Sequence, residues 1–467
     1  MDLDRAPRYR PRAMRPLLLS FFSAAIAGAL AALVACGSSS GGGSASDPLG
    51  DGGDTTADGA PAAPLDNGAP STDYPAPHPP LPDLVNAAKG PVLASPKVVF
   101  VFYPNDARVA DLETFAGKMA GSAYWSTTTS EYGIGPISYA GKFELTGETA
   151  PATITQAQIH AKLASDLASG KLGVPDPQAI YTIVFPAGTT VTQPNLITNL
   201  LAPVNSCETF TGYHDNVAVD VGDAGAKTDF AYAVIPTCSA DVGLLTSVMS
   251  HEWIEAATDP LVTDNGVYTV KGGSRAAFYA TDADHRVWSL LGGGEAGDLC
   301  VPTGGGADIS PPEIGFPVQR SWSNVAGRAS HDPCVPHVAG VTYFAAAPVL
   351  PQTVTFSTSF TGDVTTKGIV IPVGSSATVE VDLFSDGPTS GPITVKAADL
   401  LSSTYGSYGF AKTLDFKWDR TQGVNGEKLH VTVTVTDGSF LGGAHAFTII
   451  ASIGNRKMLW PGLVVEQ

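Results

Sequence analysis

One stretch of this chain carries side chains whose types and spacing suit metal-assisted chemistry. It reads Ser250-His251-Glu252-Trp253-Ile254-Glu255-Ala256-Ala257-Thr258-Asp259-Pro260. Residues 244–257 contain neither Pro nor Gly, with Gly243 just before them and Pro260 just after, so a helix is predicted there. On a helix, residues four apart share a face, which points His251 and Glu255 the same way. Glu252 lies about 100° further around the axis. This is the layout of the His-Glu-x-x-His zinc helix with Glu in place of the second His. His251 and Glu255 would be zinc ligands, and Glu252 the base that takes a proton from a metal-bound water. Two carboxylates and one imidazole would bring such a zinc site to zero net charge. It would then acidify water less than a three-His site does, and Mn²⁺ or Fe²⁺ become conceivable alternatives. Glu is common on helix surfaces, so the same pattern also describes a solvated face with one satisfied His.

A third ligand must come from elsewhere. The candidates are Glu295 and Asp298, in Gly294-Glu295-Ala296-Gly297-Asp298-Leu299-Cys300, and Asp259 near the helix end. Glu295 is preferred, because a disulfide at Cys300 would fix its loop against the helix. His214 and His285 read as members of polar loops. Asp282-Ala283-Asp284-His285 could offer an acidic metal contact, but a solvated loop is the simpler reading. Trp253 is turned away from His251 and should pack in the core, as should Trp125 and Tyr132. No Gly-x-Ser-x-Gly elbow, phosphate loop or dinucleotide fingerprint occurs.

The elements that must position this helix are legible as short apolar runs. Buried strands are predicted at residues 98–103, 179–185 and 229–235, and helices at 107–120 and 155–170. Strands mixed with helices imply an α/β or α+β layered domain, placed at residues 91–338. From about Val341 the texture changes to alternating apolar residues, such as Val379, Val381 and Leu383, or Leu429, Val431, Val433 and Val435. About eight short strands separated by turns predict an all-β, immunoglobulin-like sandwich over residues 339–467.

The start of the chain is an export signal. Arg5, Arg8, Arg10, Arg12 and Arg15 precede an apolar run from Leu17 to Ala35, which ends in Leu33-Val34-Ala35-Cys36. Cys36 after Leu-Val-Ala resembles the lipobox of bacterial lipoproteins. That resemblance implies acylation of the Cys36 thiol, a cut just before it within the signal region 1–36 so that Cys36 becomes the first mature residue, and attachment to a membrane in the cell envelope. An uncut anchor is the alternative, since the run is long enough to span. Residues 37–90 are rich in Gly, Ser, Asp, Ala and Pro and read as a flexible tether. The remaining cysteines, Cys207, Cys238, Cys300 and Cys334, are even in number, as expected of two disulfides in an exported domain. Sequence order suggests Cys207–Cys238 and Cys300–Cys334, among three pairings. The formal net charge of −18 disfavours nucleic acid as a partner.

Several patches together resemble the EXORDIUM-like, phosphate-induced secreted proteins and their bacterial relatives. These are the 250–260 segment, Val287-Trp288-Ser289, Glu295 to Cys300, Val318 to Asn324 followed by Cys334, and the aromatic region from Ala123 to Tyr132. The resemblance covers residues 95–338 in patches and implies a zincin-like fold with a metal site, but no defined activity. The sequence departs from the group in a longer loop between Pro260 and Glu295, and in Ala296 where Ile is usual. Three functions follow as expectations. The first is an extracytoplasmic zinc hydrolase, most simply a peptidase. The second is a non-catalytic surface protein that binds a peptide or cell-wall ligand. The third is an inactive descendant whose metal only stabilises the fold.

Overall fold

The computed structural model describes residues 65–194, 203–220, 227–262, 275–290, 293–301, 308–358, 362–405, 411–439 and 442–466. The signal, Cys36 and the first part of the tether lie outside them. No helix among the described residues is long and apolar enough to cross a membrane.

Five strands build the sheet that positions the site: β1 (Lys97–Phe102), β2 (Ser138–Glu144), β3 (Ala179–Phe185), β4 (Tyr213–Asp220) and β5 (Lys227–Pro236). Their order is β2-β1-β3-β5-β4, parallel except for β4, which pairs with β5 antiparallel. The central strand, Ala-Ile-Tyr-Thr-Ile-Val-Phe, is buried at every position because both faces are covered by helices. Along it, side chains alternate between two cores. Ile180 and Val184 join Phe100, Phe102 and Ile235 beneath α1 (Val109–Met119) and the motif helix. Tyr181 and Ile183 join Val99, Val101 and Val234 beneath α2 (Gln156–Ala168), through Ile159, Leu163 and Leu167. The three predicted strands and three predicted helices form, with small shifts at their ends.

The motif helix, α3, runs Val242–Thr258, beginning two residues before the predicted span. Asp241 starts it by accepting a hydrogen bond from the Gly243 N–H at 2.8 Å. It stops at Asp259, whose N–H still reaches Glu255 O, because Pro260 has no N–H to continue the ladder. Trp253 locks it to the sheet: Nε1 donates to Thr182 Oγ1 at 2.8 Å, and the indole stacks on Phe115.

Strand β4 was not expected. His214, read from sequence as part of a polar loop, lies on it and is 5% exposed. Tyr213, Val217 and Val219 pack in the core beneath α2, and Asp215 accepts from Gln156 Nε2 on that helix. Alternation therefore turns His214 to the opposite face, toward α3.

The C-terminal part is a β-sandwich. Its strands are β6 (Phe344–Pro348), β7 (Gln352–Thr358), β8 (Gly362–Val370), β9 (Ser376–Ser385), β10 (Ile393–Asp399), β11 (Leu414–Trp418), β12 (Gln422–Gly423), β13 (Lys428–Val435), β14 (Ala444–Ile453) and β15 (Arg456–Val465). One sheet has the order β6-β9-β13-β11, the other β7-β8-β15-β14-β10-β12. Val379, Val381, Leu429, Val431 and Val433, predicted as the inward positions, are all buried. The sandwich abuts the first domain through Trp288, which contacts both Trp322 and Trp460 edge-on.

Residues 65–90, expected within the flexible tether, are instead packed on both domains. Gly68 bridges to Glu427. The Asn425 side chain donates to Ser71 O and Asp73 O and accepts from the Ala76 N–H. His78 stacks on Phe384, and Leu84–Val85 pairs with Ala280–Thr281. Composition hid this because the stretch is held largely through its backbone groups, by side chains such as Asn425 and Asn324, rather than by a large apolar face of its own.

Candidate metal centre

Three segments meet at one face of α3. From the helix come His251, Glu252 and Glu255; from β4, His214; and from the loop before Cys300, Glu295 and Asp298. All six are between 0% and 5% exposed. His251 Nε2 lies 3.0 Å from Glu255 Oε2 and 3.7 Å from Asp298 Oδ1. His214 Nδ1 lies 3.5 Å from Glu255 Oε2 and 3.6 Å from Glu252 Oε2, while its Nε2 is 3.3 Å from Glu295 Oε1. Asp259 stands apart from this knot. Its Oδ1 accepts from the Ala277 N–H at 2.7 Å, which serves the end of the helix.

The loop is pinned from several sides. Cys300 is bonded to Cys334, and Cys207 to Cys238, the pairings suggested by sequence order. Glu255 Oε1 accepts from the N–H groups of Gly297 and Asp298, at 3.1 and 3.0 Å. Gln319 Nε2 donates to Gly297 O, and the Gln319 N–H donates to Ser250 Oγ on the helix. Tyr124 OH donates to Gln319 O, and Tyr132 OH to Trp322 O, so the aromatic region buttresses the same loop. Trp125 is buried, with Nε1 donating to Gly135 O. The 295–300 and 318–324 segments and the aromatic region from Ala123 to Tyr132 thus pack together against α3.

The donor set fits a metal. His214 Nε2, Glu252 Oε2, Glu255 Oε2 and Glu295 Oε1 are buried and make no well-formed hydrogen bond; they face other members of the knot as ion pairs at 3.0–3.6 Å. Such atoms are costly unless something completes them. Two groups of three, His214–Glu255–Glu295 and His251–Glu252–Glu255, each bring one donor atom per residue within 4.8 Å of the others. Imidazole with carboxylate suits zinc and also the harder Mn²⁺ or Fe²⁺.

In the metal-free protein these groups perturb one another strongly. Burial opposes the charge on His251, but Glu255 overrides it and lifts the imidazole to about 10. Burial likewise opposes ionisation of Glu255, but His251 and then His214 hold it at about 2. Burial, then the Glu255 charge, pushes Glu295 up to about 8. Glu252 is raised chiefly by burial. Burial also lifts Asp259 to about 6.

His214 is the residue that sequence reasoning missed. The run Tyr-His-Asp-Asn looks like a loop, yet Tyr213, Val217 and Val219 keep the spacing of two that marks a strand. Gly297 was missed as well; a β-carbon there would lie 2.5 Å from His251 Nδ1 and 2.8 Å from Glu255 Oε1. His285 lies outside the cluster and pairs with Asp282 at 2.9 Å.

No family model matches the chain, and no curated protein matches it. Among solved structures, it is similar to domains 1–6 of the surface layer protein SbsC. The identity is 18% over 29% of this chain and 18% of that one, with a TM-score of 0.15. The chain therefore spans under a fifth of that structure's length, and a likeness at this level fixes neither fold nor function.

Proposed function

We propose that the protein is an extracytoplasmic zinc-dependent hydrolase, and within that class a peptidase, held at the membrane by a lipid on Cys36. The reading places its first domain in a zincin-like fold, related to the EXORDIUM-like group, and its second domain among immunoglobulin-like sandwiches. The observation that carries it is the buried knot in which His214 and His251 both face Glu255 Oε2. A bound divalent ion would supply an acidified water and an electrophile for a scissile carbonyl. His251, Glu255, His214 and Glu295 are the residues to hold it. Glu252 stands beside them, 3.6 Å from His214, where its carboxylate can take a proton from the water and pass it to a leaving group. Two disulfides and the export signal support work in an oxidising compartment.

Metal analysis of the purified full chain tests this reading, beside His251→Ala and Glu255→Ala. Bound zinc that is lost in both variants, with peptide cleavage in the wild type, is the expected result. No bound metal after zinc is supplied would sink it.

One observation favours a second reading. Every residue of the knot is buried, as in a structural metal site that supports a non-catalytic surface protein. A large fall in melting temperature on chelation, with no turnover across a broad substrate panel, would select it.

A further inference from the structure

We infer that this centre takes two divalent cations, bridged by Glu255. The inference rests on the metal-site reading above and extends it to stoichiometry.

Glu255 is held as a carboxylate with one oxygen committed and one free. Oε1 accepts two backbone N–H bonds, from Gly297 and Asp298. Oε2 has no hydrogen-bond partner and is approached by two histidines, His251 Nε2 at 3.0 Å and His214 Nδ1 at 3.5 Å. Each histidine has a further carboxylate of its own: Asp298 lies 3.7 Å from His251, and Glu295 lies 3.3 Å from His214 Nε2. Two half-sites that share Glu255 result: His251 Nε2 with Glu255 Oε2 and Asp298 Oδ1, and the group His214–Glu255–Glu295, in which one donor atom per residue lies within 4.8 Å of the others. Donor atoms 3–4 Å apart are the spacing that metal–ligand bonds of about 2 Å produce around one ion.

Charge points the same way. Glu252, Glu255, Glu295 and Asp298 are four carboxylates, each 2% exposed or less. The cations facing Glu252, Glu255 and Glu295 are imidazoles rather than lysines or arginines. Metal binding displaces the protons of its ligands. With the four carboxylates ionised and the histidines neutral, one divalent ion would leave two negative charges uncompensated in the interior, and two ions would leave none. Burying unpaired charge is costly enough for that difference to matter. Paired ions of this kind, about 3.5–4 Å apart, clamp both sides of a displacement at a carbonyl or phosphoryl centre. Glu252 also lies within reach of His251 and Glu255, and we assign it the proton-acceptor role rather than a place on either ion.

The test is manganese loading of the chelated full chain, read by elemental analysis and electron paramagnetic resonance. Two equivalents with a spin-coupled spectrum are expected for the wild type. Glu295→Gln and Asp298→Asn should each lose one equivalent and give the uncoupled six-line signal of a lone Mn²⁺. Glu255→Gln should lose both. A wild type that saturates at one equivalent, with manganese and again with zinc, overturns the two-ion centre and leaves the hydrolase reading standing. A wild type that binds neither metal overturns both. Because the wild-type stoichiometry decides, a variant that fails to fold does not protect the proposal.

Discussion

Gly297 and His251 are so close that the backbone of one forms the wall behind the ring of the other. A β-carbon on Gly297 would stand 2.5 Å from His251 Nδ1, a separation that real β-carbons do not show. The backbone also donates its N–H to Glu255 at this point, so one residue positions both metal-ligand candidates of the helix. Gly297→Ala is therefore expected to weaken metal affinity by about 10–100-fold, the usual cost of disturbing a ligand's supporting contacts. Competition against a chromophoric chelator measures it. Unchanged affinity would show that the wall does not hold the imidazole in place.

Gly212 stands in the same relation to Glu252. A β-carbon there would meet Val248 Cγ1 at 2.5 Å and Glu252 Oε1 at 2.8 Å. Glu252→Gln keeps the volume and removes the proton acceptor. Turnover should fall by roughly 10²–10⁴-fold with metal content unchanged. Retained turnover would sink the assigned role, and loss of metal would make Glu252 a ligand instead.

Chelated protein should lose stability as pH rises from 5 to 9. Glu295 is lifted from 4.5 to about 8 by burial and by Glu255, and Asp259 from 3.8 to about 6 by burial. Against the opposition of burial, Glu255 lifts His251 from 6.5 to about 10. A raised folded-state pKa means that the native chain holds a proton that the unfolded chain releases. The associated stability is complete below the unfolded value and disappears as pH climbs through the folded one. All three groups act in the same direction across this interval. Glu255, held at about 2, has the opposite sign, but its window lies below pH 5. A drop of several degrees in melting temperature is expected, at about 2–4 °C per kcal/mol for a chain of domain size. Added zinc should reduce the drop. A flat profile in chelator would contradict the proton-holding cluster.

The Cys300–Cys334 bond closes a separation of 34 residues, and Cys300 is two residues past Asp298. Replacing both cysteines with Ser should cost about 3–4 kcal/mol through loop entropy. It should also loosen the carboxylates of this loop, so metal affinity should fall further than after removal of Cys207–Cys238. Denaturant unfolding and metal competition on the two double variants compare them directly.

Asn425→Ala removes the side chain that holds Ser71, Asp73 and Ala76. Residues 65–80 should become sensitive to limited proteolysis at enzyme ratios that leave the wild type intact. Mass spectrometry of the fragments locates the cuts. Resistance equal to that of the wild type would mean that the His78–Phe384 stack is sufficient on its own.

Much of the fold was readable because buried parallel strands announce themselves. Ala179–Phe185 has no polar interruption except Thr182, and that hydroxyl is spoken for by Trp253. The motif helix was readable for the opposite reason: its polar residues recur at helical spacing within a run free of helix breakers. The edge strand failed because polar residues interrupt its apolar alternation. His214, Asp215 and Asn216 are three polar residues in a row, each buried, and a pattern rule takes such a run for a loop. Which loop carboxylates reach the helix was only half readable. Glu295 was favoured through its neighbour Cys300, but nothing local to Gly297 reveals that its missing side chain makes room for His251. The strap over residues 65–90 was invisible to composition, since hydrogen bonds from the distant Asn425 and Asn324 leave no signature in the sequence they hold.

That strap has a mechanical consequence. Along the described residues, the chain from residue 65 is fastened first to the sandwich, by Gly68 and Asn425, and only afterwards reaches the first domain, where Leu84–Val85 joins Ala280–Thr281. Tension arriving from upstream would have to peel the sandwich contacts one by one before any load reached the neighbourhood of the motif helix. Under such a load the C-terminal domain would act as strain relief, in the way a cable is clamped to its casing before it meets the terminal.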